Sequence, residues 1–196
     1  MKPIPRSSQG FDFNQARICF AREIVKVTAL DQQNVILSEP EVQNEPRPPK
    51  PYFSFKFTTP AAKFGDDSKD QILDADDNPT DCVNSGGVRM MSVSFDCYGN
   101  THEEAYNYML AWQCALDRED IQEDLRRYGI AVWLIGTLAD LSQLLNTGYE
   151  GRSHMDCTFG FAVNTQSDLG EIDTVPVQGQ VQTDSGEDEI VLDVEL

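Results

Sequence analysis

Two stretches of this chain alternate apolar and polar side chains at period two, and that pattern decides much of what the chain can become. From Val88 onward, Met91, Val93, Phe95 and Cys97 alternate with Ser92, Ser94 and Asp96 over about ten residues. From Ser153 to Val163, Met155, Cys157, Phe159, Phe161 and Val163 oppose His154, Asp156, Thr158, Gly160 and Ala162. Successive strand side chains point to opposite faces, so each run reads as a strand with one apolar face. A third run, Tyr52–Phe57, places Phe53, Phe55 and Phe57 on one face and Tyr52, Ser54 and Lys56 on the other.

Helical periodicity supplies a cover for such a sheet. Phe20, Ile24 and Val27, with Ala16 near the same stripe, predict a helix over roughly 13–29 capped by Asp12, with Arg17, Arg22, Glu23 and Lys26 mostly off the stripe. Thr101-His-Glu-Glu104 fits a capping box, and Ala105, Tyr108, Met109, Trp112, Ala115 and Leu116 behind it recur at helical spacing. A short helix follows, with Ile121, Leu125 and Tyr128 inward and Gly129 at the position just past its end. Ile130–Ile135 is a near-continuous apolar run that suits a central strand with Trp133 in the core. Leu138–Leu145 is an apolar patch able to form a short helix or turn.

Between these elements lie segments of another kind. Residues 1–10, with two prolines, two serines and a glycine, read as a flexible arm, and Glu39–Pro51, with five prolines, as a linker feeding a strand. Residues 65–87 read as a long acidic loop carrying Asp66, Asp67, Asp70, Asp74, Asp76, Asp77 and Asp81. After Asn164 there is no Lys or Arg. The tail from 167 holds nine acids, with alternating apolar positions at Thr174–Val181 and Ile190–Val194 that suit strands added to its own sheet or to a neighbour's. The expected organisation is an arm over 1–10, an α+β domain over 11–166 with the acidic insertion 65–87, and an acidic arm over 167–196.

Charge excludes one class of function. Thirty-three acids against fifteen bases give a net charge of −18. Nucleic-acid and anionic-membrane binding depend on dense Lys and Arg, so neither is expected. No window approaches the roughly 20 apolar residues of a membrane-spanning helix, and the start Met-Lys-Pro-Ile-Pro-Arg has no apolar stretch behind it and reads as no signal peptide. Five scattered cysteines, Cys19, Cys82, Cys97, Cys114 and Cys157, suit reduced thiols in a cytosolic setting.

Candidate chemistry is sparse. Asp74, Asp76 and Asn78 match the first three ligand positions of an EF-hand loop, but Pro79 replaces the obligatory glycine and Ser85 the bidentate glutamate; a solvated charge run is the simpler reading. His154 and Cys157 are three apart on one strand and point to opposite faces. Cys97 and Cys157 sit on apolar faces, where cysteine is a small hydrophobe, and His102 is a surface residue beside a helix start. Ser85-Gly86-Gly87 precedes a strand and lacks a Walker lysine, and two histidines without a ligand-spaced cluster give no zinc site. No nucleophile, base and oxyanion donor come together, so no catalytic residue, cofactor or metal site is assigned. Glu150 and Arg152, opening the last strong strand, suit a planar ion pair within the subunit or across to a partner; the alternative is an exposed strand-end pair contributing little.

In order and spacing, the capped helix, the short second helix, Gly129-Ile-Ala-Val-Trp, Leu138-Ala-Asp-Leu-Ser-Gln-Leu-Leu145 and Tyr149-Glu-x-Arg152 resemble the tailed-bacteriophage neck terminator, or tail terminator, family. The resemblance runs from about Val88 to Val163, with a weaker match in the first helix and in Pro46–Tyr52. It implies an α+β subunit, a mostly antiparallel sheet with helices on one face and extended terminal arms. It also implies a non-enzymatic ring, typically of six copies, at the head-proximal end of the tail tube. Such a virion ring stops tube growth and joins the tail to the head connector, with DNA passing through its lumen. The acidic insertion and the anionic tail depart from the family pattern. Two alternatives stand beside it: another neck ring, such as a head-closure or connector protein, and a cytosolic cation- or ligand-binding module using the acidic loop. An enzyme built on Cys157 or Asp156 is a more distant reading.

Overall fold

The computed structural model describes residues 8–9, 11–38, 47–73, 79–145, 148–168, 174–183 and 186–195. The described chain is α+β, with three α-helices and a mostly antiparallel mixed sheet. It divides into two compact units: residues 1–68 with 86–165, and residues 69–85 with 166–196.

Three helices form one layer of the first unit. Helix α1, Phe13–Thr28, begins where the Asp12 carboxylate accepts from the backbone N–H of Asn14 at 2.8 Å, and ends at Ala29 in the left-handed region at φ 56. Ala16, Cys19, Phe20 and Ile24 are buried as the stripe predicts. So is Glu23, fully, which the pattern placed off the stripe; Arg22 at 2.7 Å and Lys26 at 3.3 Å meet its carboxylate from the same helix. Helix α2, His102–Leu116, buries Ala105, Met109, Trp112, Ala115 and Leu116. Its cap is a shifted capping box. Thr101 Oγ1 accepts from the Glu104 N–H at 3.2 Å, but Glu104 Oε2 reaches one residue further back and accepts from the Asn100 N–H at 2.7 Å. Helix α3, Glu119–Arg127, buries Ile121 and Leu125, and Gly129 follows at φ 73.

The sheet runs β1–β8–β4–β3–β2, where β1 is Ser8–Gln9, β2 Val35–Leu37, β3 Tyr52–Leu73, β4 Pro79–Gly99 and β8 Gly148–Asp168. Thr58 Oγ1 donates to the Ser92 carbonyl and Ser68 Oγ to the Gly86 carbonyl, so numbering rises along β3 as it falls along β4, an antiparallel hairpin. β2 runs parallel to β3, with Val35 opposite Phe53. Phe53 and Phe55 of β3, Met91, Val93, Phe95 and Cys97 of β4, and Met155, Cys157, Phe159 and Phe161 of β8 are all buried. Together with the helix stripes they form one apolar cluster, which places the helices on one face of the sheet. Phe20 is central to it, its ring 4.9 Å from Phe159 and 5.9 Å from Phe95.

Several expectations change. The segment expected as an acidic loop over 65–87 is strand through Leu73 and again from Pro79. Its sequence hides this because a hairpin solvated on both faces needs no apolar alternation, only its backbone ladder and cross-strand pairs. The run Ile130–Ile135 is not a central strand: β5, Ala131–Ile135, pairs among the described residues with β8 alone and is largely exposed. A bulge between Val132 and Leu134 turns Trp133 and Leu134 outward, leaving them 39% and 62% exposed, while Ile130, Val132 and Ile135 remain against the core. Leu138–Leu145 forms neither helix nor turn but two short strands, β6 at Ala139–Asp140 and β7 at Gln143–Leu145, both antiparallel to β8. One edge of β8 is thus paired piecewise by β1, β5, β6 and β7.

Of the described strands, the second unit contains β3 from residue 69, β4 up to residue 85, and the pair formed by β9, Thr174–Thr183, and β10, Gly186–Glu195. These two strands pair antiparallel along their whole length, from Thr174 opposite Glu195 to Thr183 opposite Gly186. Of the proposed N-terminal arm, Ser8 and Gln9 pair with Thr165 and Asn164, and residues 1–7 and 10 lie outside the described residues.

Candidate functional site

The face of the sheet opposite the helices carries the even-numbered residues of β4 and β8, and at one end of it a row of polar and aromatic groups locks together. Its anchor is the start of β8. A Cβ on Gly151 would fall 2.1 Å from the Thr101 carbonyl oxygen. Only glycine permits that approach, and it brings the start of β8 against the start of α2.

On either side of Gly151, Glu150 and Arg152 take different close ion-pair partners within the chain. Glu150, 8% exposed, takes Lys50 at 2.9 Å. Arg152 donates from Nε to Asp96 Oδ1 on β4 at 3.0 Å, with Nη2 at 3.0 Å from the same oxygen. The guanidinium also lies 5.4 Å from the centre of the Tyr98 ring, within cation–π range. Tyr52 of β3 stacks on Tyr98 at 4.6 Å with the rings 12° from parallel, and Arg47 lies 5.8 Å from the same ring. Burial pushes the Tyr52 phenol up to about 12, so it stays neutral.

Asp96 Oδ1 also lies 3.1 Å from His154 Nδ1, and His154 Nε2 lies 3.2 Å from Asp156 Oδ2. The Ser94 hydroxyl donates to the other oxygen of Asp156, and that hydrogen bond, with His154 beside it, holds the Asp156 carboxyl below the usual carboxylate range. The sequence reading named Glu150 and Arg152 and missed Lys50 beside the first and Asp96 and Tyr98 beside the second, with Tyr52 and Arg47 against the Tyr98 ring. The signal was present in part: Asp96, His154 and Asp156 were all on polar faces, and setting the two strands side by side brings them together.

Of the acidic residues singled out, Asp67 is fixed by a fork. Arg89 Nη1 and Nη2 donate to its two oxygens at 2.7 and 2.9 Å, with Lys63 at 3.9 Å. Asp66 lies 3.9 Å from Lys63 and Asp70 is exposed. Asp74, Asp76 and Asp77 lie outside the described residues, and for Asp81 only the backbone, in β4, is described. No group of three or more His, Cys, Asp or Glu side chains able to hold a metal occurs among the described residues.

The other end of the open sheet face is apolar. The Trp133 indole lies where a Cβ on Gly160 would fall, 2.1 Å from Cε2, and its ring centre is 4.8 Å from that of Phe64 on β3. The thiols of Cys97 and Cys157 face away from all of this. Cys97 and Cys157 are buried under the helices; burial raises both, Cys157 to about 11, so neither supplies a thiolate near neutrality, and His154 lies on the opposite face from Cys157. What the open face presents among the described residues is a row of mutually paired polar and aromatic side chains.

The family described as phage neck terminator protein matches residues 20–185, the greater part of the chain and all the elements from within α1 through β9. A search of the curated proteins finds no match.

Proposed function

We propose, from the premise that the chain belongs to the phage neck terminator family, that copies of it form a ring, of six subunits, at the head-proximal end of the tail tube. It is a structural component of a phage neck or tail. In the proposed role the ring ends tube growth and bridges the tube protein to the head connector, after assembly in the host cytoplasm. DNA threads the lumen without being specifically held.

The observation that carries the reading is the family match over residues 20–185. The physical chemistry agrees with it. A net charge of −18 opposes phosphate binding, so DNA in contact with the protein is repelled and not gripped. Acidic surface facing the lumen would serve that passage, and a ring with a basic lumen and both acidic segments outside would contradict it.

Light scattering on the purified chain, with negative-stain imaging of the chain alone and mixed with tail tubes, tests the reading. The expected result is a closed ring that caps tube ends. A strict monomer that neither rings nor caps tubes overturns it.

A further inference from the structure

At the end of the sheet order, β2 has no neighbour beyond it among the described residues. Val35, Ile36 and Leu37 are aliphatic, half-buried and uncharged. Exposed edges are commonly blunted by lysine, proline or a bulge, and this one has none of them. Beside it, α1 presents Ile18, 52% exposed, with Ala21 and Val25, and these side chains and β2 line a groove of about 580 Å³. Two arginines also line it. Arg22 is held by Glu23 and Tyr128, whereas Arg17 is exposed and makes no ion pair among the described residues.

We infer that this edge and groove receive β10 of a second copy of the chain, laid alongside β2 as an added strand. Three features select that occupant. Residues 187–195 carry five acids, and no cation occurs after Asn164, which complements Arg17. Ile190, Leu192 and Val194 alternate with Val191, Asp193 and Glu195, so over residues 190–194 the strand offers an aliphatic face to a groove lined by Ile18, Ala21 and Val25. And among the described residues β10 pairs with β9 along one edge and has no strand on the other, as an added strand must. In strand addition the backbone ladder supplies affinity and alternate side chains supply register.

The inference rests on the ring reading for its choice of a second copy. A contact that gives β10 and receives at β2 is head-to-tail, the kind that closes into rings when the rotation allows. Each such contact is short, and closure multiplies it by making every subunit both donor and acceptor.

The test uses the full chain with Cys114→Ser to remove the exposed thiol. Chains carrying Ile36→Cys and, separately, Leu192→Cys, one of them mass-tagged, are mixed, oxidised and resolved on non-reducing gels. The expected product is a disulfide between the two different chains, with its yield reduced several-fold by Arg17→Glu. The double variant is expected to give a ladder of multimers. If it cross-links only within single chains, the second copy is wrong. If no link reaches residue 192 while light scattering still reports a ring, the docking inference fails and the ring reading stands; loss of both the link and the ring removes both. A chain ending at residue 185 is the check that needs no cysteine at the groove: it is expected to lose the ring, and a ring of unchanged copy number and stability overturns the inference.

Discussion

Arg152 reaches from β8 to Asp96 on the neighbouring strand, placing two guanidinium nitrogens at 3.0 Å from one carboxylate oxygen that also faces His154. The pair sits on the open face of the sheet with Arg152 one third exposed and Asp96 at 17%, so it is neither a free surface pair nor a dry one. Arg152→Ala should cost about 1–2 kcal/mol, between the values typical of exposed and buried pairs. For a chain of this size that is a fall of about 2–4 °C in Tm per kcal/mol. A double-mutant cycle with Asp96→Asn measures the coupling, and strict additivity of the two changes would show that the pair contributes nothing.

Capping gives a second prediction. Thr101→Ala removes the hydroxyl that accepts from the Glu104 N–H and should destabilise the chain by about 1 kcal/mol. Glu104→Ala frees the Asn100 N–H and should cost a similar amount. Denaturant unfolding reads both, and a Glu104 change without effect would mean that the shifted half of the box is ornamental.

The contact of Gly160 with Trp133 is steric. Gly160→Ala places a methyl where the indole lies and should displace the ring, costing about 1–3 kcal/mol as overpacking does. Acrylamide quenching of tryptophan fluorescence should rise, while Gly160→Ala with Trp133→Ala should recover most of the lost stability. A pair of changes no better than Gly160→Ala alone would place the cost elsewhere.

Two pH effects follow from the shifted groups, with opposite signs. The Asp156 carboxyl is lowered in the folded state, so its small contribution is present above the unfolded value near 4 and is lost as pH falls through the folded value. Ser94→Ala should therefore lower stability slightly at pH 5–7, and the difference should vanish under strongly acid conditions. The Cys157 thiol is raised to about 11, so its contribution is complete below about pH 8.5, the unfolded value, and declines as pH rises towards the folded one. A thiol reagent at pH 8 should modify Cys114 quickly, and Cys19, Cys97 and Cys157 only after unfolding; prompt reaction of Cys157 in the folded chain would contradict its burial.

Where the chain's pattern had one partner to satisfy, it was legible. Asp12, the α1 stripe, the α2 stripe and the buried residues of β4 and β8 follow from local periodicity alone, because each element buries one face in the same core. Pattern misled where a residue answers to something distant. Trp133 reads as core by composition, yet a bulge turns it onto the open face; Glu23 reads as surface, yet it is buried, with two half-exposed cations of its own helix reaching its carboxylate. The polar hairpin reads as loop because hydrophobic alternation marks burial and not strand geometry. At the open face, the partners of Glu150 and Arg152, Lys50 and Asp96, depend on which segments lie side by side, and that is a property of topology.

The piecewise pairing along one edge of β8 has a consequence for how the chain tolerates change in length. Four separate segments take their register from the same strand, at Gly148–Glu150, Ser153–His154, Cys157–Gly160 and Asn164–Thr165. A residue gained or lost between any two of the partners can be absorbed in the connection that joins them. A residue gained or lost within β8 shifts every partner on one side of it at once and turns Met155, Cys157 or Phe159 out of the core. Insertions and deletions should therefore be accepted between the short segments and refused in the strand that aligns them, which a scan of single-residue deletions across 131–165 would display as a sharp boundary near Gly148.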